Sequence, residues 1–175
     1  LTGADIVLRR SDKSYLKLEA AETDGPGFDE QVSFDGGLTF RPVAATQLNA
    51  PSRAYRIEVA GEARDFIEAG PNIKLRGYFE SLDSGFSAPG RLTVDDTERY
   101  GVAVSAPLLK TAKVDAKYDY VSITNQIEEE TTAIDVRYDV NDRLTVGMGL
   151  RQNMTEGPAA LESGQRADLG FEISY

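Results

Sequence analysis

The residues of this sequence with the clearest chemical potential are charged side chains that alternate in sign at every second position. Two such segments are Lys113-x-Asp115-x-Lys117-x-Asp119 and Asp135-x-Arg137-x-Asp139. A spacing of two places side chains on one face of a β-strand. On neighbouring strands such residues can form cross-strand ion pairs, each worth about 0.2–1 kcal/mol. The chemistry they offer is ion pairing or ion steering, on a solvated outer face or along a hydrated passage.

Composition excludes several other functions. The chain has 175 residues, with 19 Lys and Arg against 29 Asp and Glu and a net charge of -10, which argues against nucleic-acid binding. It contains no histidine and no cysteine, which removes Ser-His and Cys-His nucleophiles, thiolate metal sites and disulfides. We therefore predict no catalytic residue, no metal, no cofactor and no enzymatic activity, although carboxylate chemistry stays open in principle.

Two acidic segments could collect Ca²⁺ or Mg²⁺, because these ions prefer oxygen ligands. They contain Asp24, Asp29 and Glu30 in one case and Glu128, Glu129 and Glu130 in the other. Neither has the spacing of an EF-hand loop. Solvated acidic loops are the favoured interpretation, with ion bridges to lipopolysaccharide phosphates as the alternative.

Period-two alternation runs through the chain, whereas helical periodicity is nearly absent. The pattern predicts an all-β fold of about nine strands, near 2–10, 15–22, 53–63, 72–82, 97–107, 113–124, 131–140, 144–153 and 166–175. Short turns alternate with longer acidic or Gly- and Pro-rich links. The longest link, 23–52, contains the alternating segment VSFDGGLTF, which we assign to a protruding loop rather than to a further strand.

Each predicted strand has one apolar and one charged face. The charged face contains, among others, Arg56, Glu58, Lys74, Arg76, Lys113, Asp115, Lys117, Asp119, Asp135, Arg137, Asp139, Asp168 and Glu172. In a soluble sandwich the apolar face would form the core. In an outer-membrane barrel it would meet lipid, and the charged face would line a polar lumen.

Three features favour an antiparallel up-and-down transmembrane β-barrel. Strand lengths lie near the ~9–11 residues that a tilted transmembrane strand needs. Short turns alternate with long loops, and tyrosines recur at strand ends, which suits the membrane interface. The link 23–52 is then an extracellular loop, and the charged residues above face the lumen.

The predicted connections also give a topology. If the last strand ends in the periplasm, then every short turn is periplasmic, every long link is extracellular, and the first strand starts outside the cell. A complete bacterial barrel has an even number of strands and starts in the periplasm. We therefore expect residues 1–175 to be one C-terminal barrel region, preceded by further strands or completed by other chains.

Several segments resemble the C-terminal barrels of very large, repeat-bearing outer-membrane proteins of alphaproteobacteria. They are YLKLEAAETDGPGF, DGGLTF, RAYRIEVAGEA, DSGFSAPGRLT, YGVAVSAPL and VDAKYDY, with TTAIDVRYDVNDRLTVGMGLRQN and ADLGFEISY typical of barrel C-termini generally. The resemblance implies a barrel preceded by surface-exposed repeats. It supplies no catalytic residues.

The resemblance also implies a role for the last strand, RADLGFEISY. Outer-membrane barrels share a terminal signal for the barrel-assembly machinery, and the matching positions are Leu169, Gly170, Phe171, Ile173 and Tyr175. An ordinary edge strand that closes the barrel by pairing with the first one would look the same, and both roles are compatible.

The sequence therefore predicts a protein of the bacterial outer membrane that acts as a channel, or as an anchor or translocation unit for surface domains. Its expected partners are lipid, lipopolysaccharide, the assembly machinery and the missing strands. A soluble β-sandwich binding module with acidic loops is the alternative. A barrel enzyme of lipase or protease type is the weakest, because such enzymes use histidine.

Overall fold

The computed structural model describes residues 1–24, 31–32, 41–42, 51–88, 91–158 and 164–173. Thirteen strands occur in these residues, together with one 3₁₀ turn, Ala63–Asp65. The strands are β1 (Thr2–Arg9), β2 (Tyr15–Thr23), β3 (Gln31–Val32), β4 (Arg41–Pro42), β5 (Ser52–Glu62), β6 (Lys74–Leu82), β7 (Ser87–Ala88), β8 (Arg91–Leu92), β9 (Thr97–Leu109), β10 (Ala112–Ile123), β11 (Ile127–Asn141), β12 (Leu144–Glu156) and β13 (Gly164–Ile173).

Nine of these strands form one antiparallel sheet in the order β1-β2-β5-β6-β9-β10-β11-β12-β13. The all-β prediction and the nine predicted strands are therefore confirmed. Two short ribbons, β3 with β4 and β7 with β8, lie within the links 24–51 and 83–96. Residues 33–40 of the segment VSFDGGLTF lie outside the described residues.

The sheet is open within the residues that the structure describes. β13 is hydrogen-bonded to β12 alone, and the predicted pairing of the last strand with the first is not seen. Successive strands add to the sheet edge one after another, so β1 and β13 remain at its opposite edges. Among the described residues no helix has the length and apolar character to cross a membrane.

One predicted link is wrong. The segment NQIEEE was expected to be a longer acidic loop between strands, but β11 already starts at Ile127, which lies opposite Ile123 in the register. The connection is a tight turn in which Asn125 has a φ of 60°, a left-handed conformation that asparagine tolerates well. Residues Ile127–Glu130 pair with Tyr120–Ile123 of β10, so β11 includes the acidic residues that were predicted to form a loop.

The turns β1–β2 and β5–β6 are joined at one end of the sheet by a buried serine. Ser14 is 1% exposed, donates a hydrogen bond from its hydroxyl to Asp65, and accepts one from the Glu62 backbone N–H at 3.0 Å. The Ser11 hydroxyl donates to the same carboxylate at 2.5 Å. These bonds, with the charges of Lys13 and Arg10, hold the pKa of Asp65 below its ordinary value.

The link between β6 and β9 folds back over the opposite end of the charged face. Leu82 and Phe86 are buried there, and the Ser52 hydroxyl donates to the Ser84 carbonyl oxygen at 2.7 Å. The Ser84 N–H donates to Asp96 at 2.7 Å. A segment predicted only as a loop is therefore tied to the sheet.

Candidate functional site

The sheet brings the predicted lumen-facing residues onto one face. They lie on β5, β6, β10, β11 and β13 and alternate with residues of the other face: Arg56, Glu58, Lys74, Arg76, Lys113, Asp115, Lys117, Asp119, Asp135, Arg137, Asp139 and Asp168. Glu172 lies in register with Thr145 at the end of β13. No other layer contacts this sheet among the described residues apart from the short links.

The strand register places side chains of like charge opposite each other on this face. Across β10 and β11, Lys113 lies opposite Arg137 and Asp115 lies opposite Asp135. Across β12 and β13, Arg151 lies opposite Arg166. The expected cross-strand ion pairs therefore do not form at these positions, because adjacent strands carry the same sign at the same height.

Ion pairs instead follow the strand direction in this half of the sheet. Lys113 contacts Asp115 at 2.9 Å, and Lys117 contacts Asp119 at 2.6 Å. In the other half the cross-strand expectation is confirmed, because Arg56 of β5 reaches Glu19 of β2 at 3.7 Å and Glu80 of β6 at 3.6 Å.

Glycines make room for side chains that cross the charged face. Tyr78 of β6 reaches over Gly101 of β9 and donates its hydroxyl hydrogen to Asp119 of β10. A Cβ at Gly101 would lie 2.8 Å from the Tyr78 ring, so a larger residue would force the ring to move. Asp135 similarly leans over Gly149, where a Cβ would lie 2.6 Å from its carboxylate oxygen.

Small residues of β9 form the floor of a groove on this face. We call it the β9 groove; its floor is Gly101, Ala103 and Ser105, its β6 wall is Lys74, Arg76 and Tyr78, and its β10 wall is Asp115, Lys117 and Asp119. Pockets of about 310 and 320 Å³ open along it and share Arg76, Ala103 and Lys117. Sequence reasoning identified the charged walls but missed the groove, which only the register reveals.

The two faces of the sheet differ in which apolar side chains they bury. The buried apolar residues of the described part, Ala60, Leu82, Phe86 and Ala133, belong to or cover the charged face. Glu80 on that face is 7% exposed. On the apolar face Ile134 is 44% exposed, although its neighbour Ala133 is 7% exposed.

The proposed assembly signal lies in β13. Leu169, Gly170, Phe171 and Ile173 pair with Met148, Gly147, Val146 and Leu144 of β12. Tyr175 lies outside the described residues. The structure therefore places four of the five positions on an edge strand of the sheet.

The acidic segments do not form a described metal centre. Glu128, Glu129 and Glu130 are consecutive residues of β11 and so alternate between its faces. Asp29 and Glu30 lie outside the described residues. Within the described part of the chain, no group of three or more His, Cys, Asp or Glu residues is arranged to hold a metal ion.

Comparison with known proteins does not assign this chain to a family. No protein-family model, no curated protein and no solved structure matches the chain.

Proposed function

We propose that this chain forms part of the wall of a bacterial outer-membrane β-barrel, with its apolar face against lipid and its charged face along a water-filled lumen. The protein acts as a channel, and the same barrel can anchor surface-exposed domains. The observation that carries the proposal is the reversed burial of the two faces. Side chains pack on the charged face, whereas aliphatic side chains remain uncovered on the other.

The uncovered apolar surface is too continuous for an ordinary water-exposed face. Ile6, Ile57, Val102, Ile134 and Met148, on five strands, are each at least 43% exposed. Monomeric soluble proteins rarely expose apolar patches larger than a few hundred Å². A sandwich would cover this surface with a second sheet, and the described residues contain no such layer. Lipid is the solvent that suits it best.

The position of the apolar band also favours a membrane. A row of directly paired residues crosses the sheet from Ile6 on β1 to Met154 on β12. Ile6 is the middle apolar residue of β1 on this face, whereas the apolar residues of β12 on the same face, Leu144, Val146, Met148 and Leu150, are centred on the position of Gly147. From β1 to β12 the centre of the band therefore shifts from the row of Met154 to Gly147, an average of about one residue per strand step. With a rise of ~3.4 Å and a strand spacing of ~4.8 Å this is a tilt of about 35°, within the ~35–45° range of transmembrane barrels.

Aromatic residues border this band. Phe79, Tyr100 and Tyr120 share one register row, and the Tyr100 and Tyr120 rings stack at 4.8 Å. Tyr138 lies opposite Ala112 at the other border. Between Tyr120 and Ala112, β10 rises about 27 Å, which the tilt reduces to about 22 Å, close to the ~25 Å band of outer-membrane barrels.

Reconstitution in planar bilayers tests the channel. We expect ion conductance, and we expect Lys113→Glu and Arg137→Glu to shift the reversal potential in a KCl gradient toward cation selectivity, because both residues face the lumen. Arg143→Glu, in the exposed β11–β12 turn, is the matched control. A protein that is monodisperse in plain buffer and never conducts would refute the proposal.

A further inference from the structure

The charge of the β9 groove differs from that of the molecule around it. The whole chain has a net charge of -10. The pocket at the Ser105 end of the groove is bordered instead by four cationic side chains, Lys74, Arg76, Lys113 and Lys117, against the two carboxylates of Asp115 and Asp135. A cationic cleft in an acidic protein concentrates anions locally.

The carboxylates near the groove already have partners. Asp119 accepts a hydrogen bond from Tyr78 and an ion pair from Lys117. Glu58 accepts from Tyr15 and from Arg56. These contacts leave both carboxylates less able to neutralise other cations on the groove walls.

Arg76 is the cation that this arrangement leaves available. It is exposed, and it forms no ion pair with any carboxylate that the structure describes, whereas Lys74 contacts Glu62 at 3.3 Å and Lys113 contacts Asp115 at 2.9 Å. Asp135, the other carboxylate of the pocket, leans away over Gly149. The guanidinium fork of arginine suits bidentate binding of phosphate or carboxylate.

Lys117 is a second cation at a suitable separation. It contacts Asp119 at 2.6 Å, but its ammonium group has three donors, so the pair leaves donors for another ligand and makes Lys117 the weaker of the two. Ala103 lies between Arg76 and Lys117 in the register, so the two side chains start about 9.6 Å apart, two strand spacings of ~4.8 Å. The alanine methyl group leaves the space between them open. An oxyanion above Ala103 lies within reach of both.

We infer that the β9 groove binds the oxyanion of a small phosphate-bearing solute, with Arg76 as its principal ligand and Lys117 as the second. The inference rests on the proposed function, since it assigns a solute class to the lumen. It predicts that such solutes dwell at this site during passage.

Titration of the protein in detergent micelles with inorganic phosphate, at low ionic strength and pH 7, tests the site. We expect saturable binding in the calorimeter, weakened about tenfold by Arg76→Ala and about threefold by Lys117→Ala, because a charge-assisted bond is lost. Arg143→Ala removes the same charge from an exposed turn and should leave binding unchanged. Arg76→Lys should retain part of the affinity.

Two results would overturn the inference: no saturable phosphate binding, or an Arg76→Ala variant that binds as the Arg143→Ala variant does. Unchanged heat-modifiability on gels would show that each variant is folded. Because binding is measured without a bilayer, absent conductance with intact phosphate binding refutes only the channel. Conductance without phosphate binding refutes only the anion site.

Discussion

At the scale of single residues, small and polar side chains hold the charged face together. Ser14 links two turns, and Gly101 and Gly149 allow Tyr78 and Asp135 to cross neighbouring strands. None of these roles follows from alternation, because a serine in a turn and a glycine in a strand have many possible partners. Each role depends on which strands are neighbours.

Replacement of Ser14 by alanine tests the contact between turns. The substitution leaves the Glu62 N–H and the Asp65 carboxylate without this partner, and an unsatisfied buried group costs about 1–3 kcal/mol. We expect a loss of that size in the free energy of unfolding, measured by urea titration of the refolded protein. Asp12→Ala, in the same turn but exposed, should change stability little.

The same contact has a pH dependence. The folded-state pKa of Asp65 is depressed, so its stabilisation is present above the unfolded pKa of about 3.9 and is lost as the pH falls through the lower folded value. The Ser14→Ala variant should therefore lose less stability than the parent protein on acidification below pH 4. Equal acid sensitivity of the two proteins would contradict this role.

At the scale of elements, alternation located the strands because side chains two apart share a face whatever the strand pairs with. β5, for example, was predicted at 53–63 and is Ser52–Glu62. The register could not be predicted. Every strand has the same two-residue period, so sliding one strand by two residues along its neighbour leaves the pattern of faces unchanged. The like-charge pairs Asp115–Asp135 and Lys113–Arg137 depend on the shift between β10 and β11, and the β9 groove depends on the shifts of β6 and β10 relative to β9. The folded link that carries Phe86 depends on long-range contacts.

The depth of a strand position in the membrane gives the element-scale prediction. Val136 lies inside the apolar band of β11, between Ile134 and Tyr138 on that face, whereas Thr132 is on the same face in the row of Tyr118, at the band border. We expect Val136→Arg to cost about 2–4 kcal/mol and Thr132→Arg about 0–1 kcal/mol, because the cost of a lipid-facing cation falls toward the interface. Unfolding titrations in lipid vesicles measure both. Equal costs at the two positions would contradict the assigned depth.

At the scale of the whole molecule, three features agree: the burial of apolar side chains on the charged face, a band that drifts by about one residue per strand on average, and aromatic borders about 22 Å apart. The burial and the band position both involve Ile6 and β12, and the border separation uses the tilt of the band, so the three features describe one consistent geometry. Together they support a sheet whose apolar face contacts lipid and whose charged face contacts water. The channel and the anion site both depend on this orientation.

The orientation is tested most directly by single cysteines along β11. Residues 1–175 contain no cysteine, so a single cysteine introduced at position 134, 135, 136 or 137 allows one fluorophore to be attached for measurements in liposomes. Lipid-borne spin labels should quench the probe at Ile134 and Val136, and a water-soluble quencher should act on Asp135 and Arg137. Equal lipid quenching at all four positions, or the opposite alternation, would contradict the account.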